Sequence, residues 1–80
     1  MDTFEIQVRD EDNVEFAKWT TTSSFSNARC ELNDFLQQAC SAMVDETYTG
    51  RVFRSGIERA VLKVTARNNT TVCRWASLAN

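Results

Sequence analysis

Between Phe25 and Val44, apolar side chains fall at Phe25, Ala28, Leu32, Phe35, Leu36, Ala39 and Met43. Steps of three and four put all seven on one face of an α-helix. The opposite face holds Asn33, Asp34, Gln37 and Ser41. A helix with one long apolar face must bury it against another element. The stretches before and after it read as strands, so the pattern predicts one helix laid across one sheet. Phe35, Leu36 and Met43 are the expected packing residues. Ser24 or Ser26 can cap the helix start, because a serine oxygen accepts from the free amides of the first turn. Glu31 suits the positive end of the helix dipole and Arg29 does not. The helix is expected to end near Val44.

Residues 3–9 alternate, with Phe4, Ile6 and Val8 on one side and Thr3, Glu5, Gln7 and Arg9 on the other, as a half-buried strand does. Asp10-Glu11-Asp12-Asn13 is a polar break suited to a turn. Residues 14–22 form a return strand rich in β-branched and aromatic types. Its register is open. Phe16 and Trp19 have opposite parity, so a regular strand points them to opposite faces. A three-residue turn leaves Trp19 on the outer face. A two- or four-residue turn leaves Val14 and Phe16 there. A bulge near Ala17 or Lys18 puts both inside. Residues 58–66 and 70–77 read as a second hairpin with a two-residue Asn68-Asn69 turn. That turn pairs Ala66 with Thr71, Val64 with Cys73 and Leu62 with Trp75. The expected core face is Ala60, Leu62, Val64, Ala66, Cys73 and Trp75. The outer face then carries Arg59, Lys63, Arg67 and Arg74, with Val61, Thr65 and Val72 between. Tyr48 to Arg54 is a short strand or an irregular arm, and Gly50 and Gly56 mark positions needing backbone freedom. The predicted fold is a single α+β domain over residues 1–80. It has an antiparallel sheet of four or five strands with one helix packed on one face, in the order ββα(β)ββ.

An 80-residue chain buries only about 60% of the surface its unfolded form exposes, which leaves little room for a deep cleft. The N-terminus is acidic and alternating, unlike a secretory signal. No apolar run approaches the roughly 20 residues a membrane span needs. The expectation is a cytoplasmic protein of the host cell, with no membrane partner. Cys30, Cys40 and Cys73 are an odd number without close pairing, so a disulfide framework is not expected. The net charge of −2 hides an asymmetry. Residues 1–46 carry ten acids and three bases, net −7. Residues 47–80 carry one acid and six bases, net +5. Such a split points to a charged partner, or to halves that neutralise each other across the fold.

The chain contains no histidine, which removes the commonest general base and metal ligand. Cys-His and Ser-His-Asp sites are excluded within it, and three scattered thiols do not make a zinc site. No catalytic residue, metal or cofactor is expected. Cys40 and Cys73 read as buried structural thiols, while Cys30 sits nearer the helix edge. The acids Asp10, Glu11 and Asp12 cluster in a turn, where catalysis is not expected. They form a solvated loop, or one that docks into a basic groove. Gly50 and Gly56 belong to no phosphate-cradling motif. The stronger signal is the basic second half. Arg59, Lys63, Arg67 and Arg74 on one strand face, with Arg51 and Arg54 nearby, suit phosphates or an acidic protein surface. Phe53 or Tyr48 could stack on bases. An exposed Phe16 or Trp19 would anchor a partner or a second copy.

In size, charge and architecture over its whole length, the chain resembles the small inhibitors encoded by phages and mobile elements, such as anti-CRISPR proteins. The likeness rests on no specific motif and transfers no residue roles. It implies a non-catalytic protein-binding inhibitor, monomeric or homodimeric, that evades antiviral defence. Such a protein blocks a nucleic-acid-processing complex by occupying a nucleic-acid or subunit interface. The alternative is a small nucleic-acid-binding module that uses the basic C-terminal hairpin.

Overall fold

The computed structural model describes residues 2–41, 46–67 and 70–77. Five strands and one helix follow in the order β1 (Asp2–Arg9), β2 (Glu15–Ser23), α1 (Phe25–Ser41), β3 (Glu46–Arg54), β4 (Ile57–Arg67) and β5 (Thr70–Ser77). The strands form one antiparallel sheet in the order β2-β1-β3-β4-β5. The stretch from Tyr48 to Arg54 is therefore part of the central strand and not an irregular arm. Met43, Val44 and the Asn68-Asn69 turn lie outside the described residues, as do the side chains of Cys40, Arg67, Val72 and Cys73.

Ser24 caps the helix. Its Oγ accepts from the Asn27 amide at 3.1 Å, and its carbonyl accepts from the Ala28 amide at 3.0 Å. The apolar stripe then presents Ala28, Leu32 and Leu36, all fully buried, to the sheet. Phe4, Ile6 and Val8 meet it from β1, Tyr48 and Val52 from β3, and Ala60, Leu62, Val64 and Ala66 from β4. Gly50 is buried beneath Leu32, and a Cβ there would collide with Leu32 Cδ1 and Cδ2. Its role is thus space for the helix, not backbone freedom. Gly56 does need that freedom. Ser55 (φ 54°) and Gly56 (φ 76°) make the two-residue turn between β3 and β4, where both central residues are left-handed.

The first hairpin resolves the parity conflict with a bulge. Val8 pairs with Ala17 and Arg9 with Glu15, so Phe16 is the extra residue. The bulge lies one position before the expected Ala17 or Lys18. The connection runs over Asp10 to Val14, longer than the two to four residues expected. Both rings now lie on the helix side. Phe16 stands 4.9 Å from Tyr48 and 6.0 Å from Phe35, while Trp19 stands 5.0 Å from Phe35. Glu31 ties the helix to this edge, accepting from Trp19 Nε1 at 3.3 Å and from Thr21 Oγ1 at 2.7 Å. The second hairpin has the predicted register: Ala66 opposite Thr71, Val64 opposite Cys73 and Leu62 opposite Trp75.

Candidate functional site

One face of the sheet carries the helix and the other is bare of any described element. Strand alternation decides what the bare face shows. Thr3, Glu5, Gln7 and Arg9 come from β1, and Lys18, Thr20 and Thr22 from β2. Thr47, Thr49, Arg51 and Phe53 come from β3, Val61, Lys63 and Thr65 from β4, and Arg74 from β5. Threonine and charge make this face compatible with water. Thr3 and Thr22 join through their Oγ1 atoms at 3.1 Å, and Thr47 and Thr65 at 3.0 Å. Cross-strand hydroxyl pairs of this kind hold a solvated sheet face together.

The register aligns Arg9, Thr49, Lys63 and Arg74 in one row across four adjacent strands. Neighbouring strands lie about 4.8 Å apart, so the row spans roughly 14 Å. Its two ends differ in charge balance. At the β1 end, Arg9 has Glu15 opposite it and donates from Nη1 to the Asn13 carbonyl at 2.9 Å. The acids further along the face are matched as well. Glu5 meets Lys18 at 3.3 Å, and Glu58 meets Arg51 Nε at 3.0 Å. At the β5 end, Lys63 and Arg74 are directly opposed, and no described acid pairs with either. Like charges facing each other across two strands are unfavourable for the fold alone. A shallow hollow of about 360 Å³ lies here, lined by Val61, Lys63, Arg74 and Trp75. A second hollow of about 280 Å³ lies nearer β1, where Asp10 and Glu11 join Arg9, Arg51 and Lys63 and dilute the positive charge.

The remaining predicted residues fall elsewhere. Arg54 pairs with Asp2 at 3.2 Å at the far end of the sheet. Arg59 is the extra residue of a bulge, because Val52 opposes Ala60 and Phe53 opposes Glu58. The regular alternation expected through Arg59 is broken there. Tyr48 is fully buried and offers no stacking surface. Phe16 and Trp19 pack on the helix side, although Phe16 stays 44% exposed at the β2 edge. The acidic loop is turned on itself. Asp10 Oδ1 accepts from the amides of Asp12 and Val14, at 2.9 and 3.0 Å. Glu11 Oε1 accepts from the Thr47 amide at 2.8 Å, so among the described residues Asp12 is the one of the three acids without such a bond. Two residues were missed from sequence. Arg9 joins the row only through the long-range pairing of β1 with β3. Arg29 covers Trp75, its Cζ standing 4.5 Å from the ring centroid. A basic residue misplaced for the helix dipole was the one local sign of that contact.

Cys30 is an exposed free thiol. Among the described residues, no group of three His, Cys, Asp or Glu side chains is placed to hold a metal ion, and no helix is long and apolar enough to cross a membrane. Comparisons with family models, curated proteins and solved structures find no match to this chain. What the geometry brings together at the β4–β5 end is two opposed cations, Lys63 and Arg74, that no described acid pairs with, on a polar sheet face beside a hollow that Trp75 also lines. That arrangement can bind an anionic surface.

Proposed function

We propose that this chain is a small non-catalytic protein-binding inhibitor of the anti-CRISPR-like kind that phages and mobile elements carry. It seats the β4–β5 end of its open sheet face on an acidic surface of a nucleic-acid-processing complex. In doing so it occupies a nucleic-acid or subunit contact that the complex needs. The observation that supports this reading is the directly opposed Lys63 and Arg74, unanswered by any described acid while Glu5 and Glu58 on the same face are matched. A surface that keeps two like charges side by side gains when an acidic partner covers them.

A second reading is a nucleic-acid-binding module, and it is favoured by one observation: Trp75 lines the same hollow as Lys63 and Arg74. Base stacking beside basic groups is how many single-strand binders work. Phe53, the ring on the open face itself, argues the other way. It lies in register between Glu5 and Glu58, whose partners Lys18 and Arg51 are already engaged by those carboxylates and are not free to hold a phosphate. Affinity capture from cells that express the chain, with quantitative mass spectrometry, tests the first reading. It predicts a stoichiometric protein partner that is lost on Lys63→Glu with Arg74→Glu. Failure to recover any such partner rejects it. Titration with duplex and single-stranded DNA tests the second, which requires tight binding that falls steeply with salt.

A further inference from the structure

The two edges of the sheet are built differently, and the difference points to how a partner docks. The β2 edge is interrupted by the bulge at Phe16. Its helix side carries the ring contacts of Phe35 with Phe16 and Trp19 and the bonds to Glu31. Bulges are a common way to spoil an edge for further pairing. The β5 edge has no such device. Its eight residues pair with β4 in unbroken register from Ala60–Ser77 to Arg67–Thr70, and among the described residues the elements it touches are β4 and α1. A hollow flanks this edge on each side of the sheet, and Trp75 lines both. The open-face hollow holds Lys63 and Arg74. The helix-side hollow, about 290 Å³, holds Arg29, Cys30, Asn33 and Asp34.

We propose that β5 is a docking edge to which an extended acidic segment of the protein partner adds as a sixth strand. Successive side chains of a strand point to opposite faces. Every second residue of the segment would therefore meet Lys63 and Arg74 on the open face, and acids fit there. The residues between would meet the helix-side hollow, where Trp75 lies against Arg29 beside Asn33 and Asp34, and aromatic groups fit there. Main-chain bonds along an intact edge supply affinity, and the alternate side chains supply specificity. Charge selects the partner. Two copies joined β5 to β5 would bring Lys63 and Arg74 of each beside the same cations of the other, whereas an acidic strand neutralises them.

The inference rests on the protein-binding reading and adds the shape of the bound segment. Its test uses the full chain labelled with ¹⁵N and an eight-residue peptide alternating Glu with Val and Tyr. Two controls carry N-methyl groups on one or the other alternate set of residues, which removes backbone donors. A third control is octa-glutamate. The expected result is saturable binding with shifts centred on β4 and β5, and exchange of β5 amides slowed about tenfold or more at saturation. One N-methylated peptide should bind at least about tenfold more weakly, since several hydrogen bonds of about 1 kcal/mol each are lost. Lys63→Glu with Arg74→Glu should weaken the parent peptide by a similar factor. Equal binding of both N-methylated peptides or of octa-glutamate, shifts centred on β2, or no binding would overturn strand addition. Concentration-dependent protection of β5 amides without peptide would overturn it too, and would assign the edge to a second copy. If the peptide fails while the cellular partner is still lost on charge reversal, strand addition falls and the open-face reading stands. If the partner survives charge reversal, the open-face reading falls.

Discussion

On the helix side of the sheet, Leu32 rests on Gly50 with no room for a methyl group, Phe35 meets both Phe16 and Trp19, and Phe16 also meets Tyr48. On the open side, threonines pair across strands and charges stand in rows. The first arrangement is determined by volume, since close-packed interiors register even one added or removed methylene. The second is determined by charge and leaves most side chains replaceable without a packing cost. A chain of this size has one core to spend on folding, and the face that core does not use is left free of packing demands. The polar open face also explains why the sheet can stay uncovered. A bare apolar face would demand a permanent partner, whereas threonine and charge suit a partner that comes and goes.

This contrast is open to attack at several depths. The largest effect should come from Leu32→Ala, which removes a fully buried side chain from the centre of the core. Unfolding by denaturant should show a loss of about 2–5 kcal/mol. Gly50→Ala should cost about 1–3 kcal/mol by overpacking against Leu32. In a double-mutant cycle the two should be strongly non-additive, with Gly50→Ala losing most of its cost once Leu32 is alanine. Additive costs would mean that the helix does not rest on Gly50. Ser24→Ala should cost about 1 kcal/mol, because the Asn27 amide loses its cap. On the open face, Lys63→Glu should change stability by no more than about 0.5 kcal/mol, and in the stabilising direction. It turns a like-charge pair with Arg74 into an opposite one. A loss above about 1 kcal/mol there would break the distinction between the two faces.

Much of this was legible in the sequence, but unevenly. The β4–β5 hairpin could be read because two local signals agree: a two-residue Asn-Asn turn, and parity that puts Leu62 and Trp75 on one face. The first hairpin could not be settled, since Phe16 and Trp19 conflict in parity. The bulge that reconciles them depends on rings from Phe35 and Tyr48, which are distant in sequence. β3 was ambiguous because a glycine in mid-strand reads as a breaker, while Gly50 in fact answers to Leu32. Lys63 and Arg74 could be placed on one face from alternation alone. Their continuation to Arg9 could not, because the pairing of β1 with β3 spans the helix and leaves no local pattern. The acidic loop read as free charge because its capture of the Asp12, Val14 and Thr47 amides is a matter of turn geometry and not of composition.

The central claim is that binding resides at the β4–β5 end of the open face while the fold resides on the other. The most direct measurement is side-by-side quantitative capture with the native chain, with Lys63→Glu/Arg74→Glu, and with Lys18→Ala at the β2 edge. Thermal unfolding of each is recorded in parallel. The account predicts closely similar melting temperatures for all three, one partner shared by the native chain and Lys18→Ala, and at least about a tenfold loss of that partner on double reversal. Retention of the partner by the double variant, with its melting temperature unchanged, would contradict it.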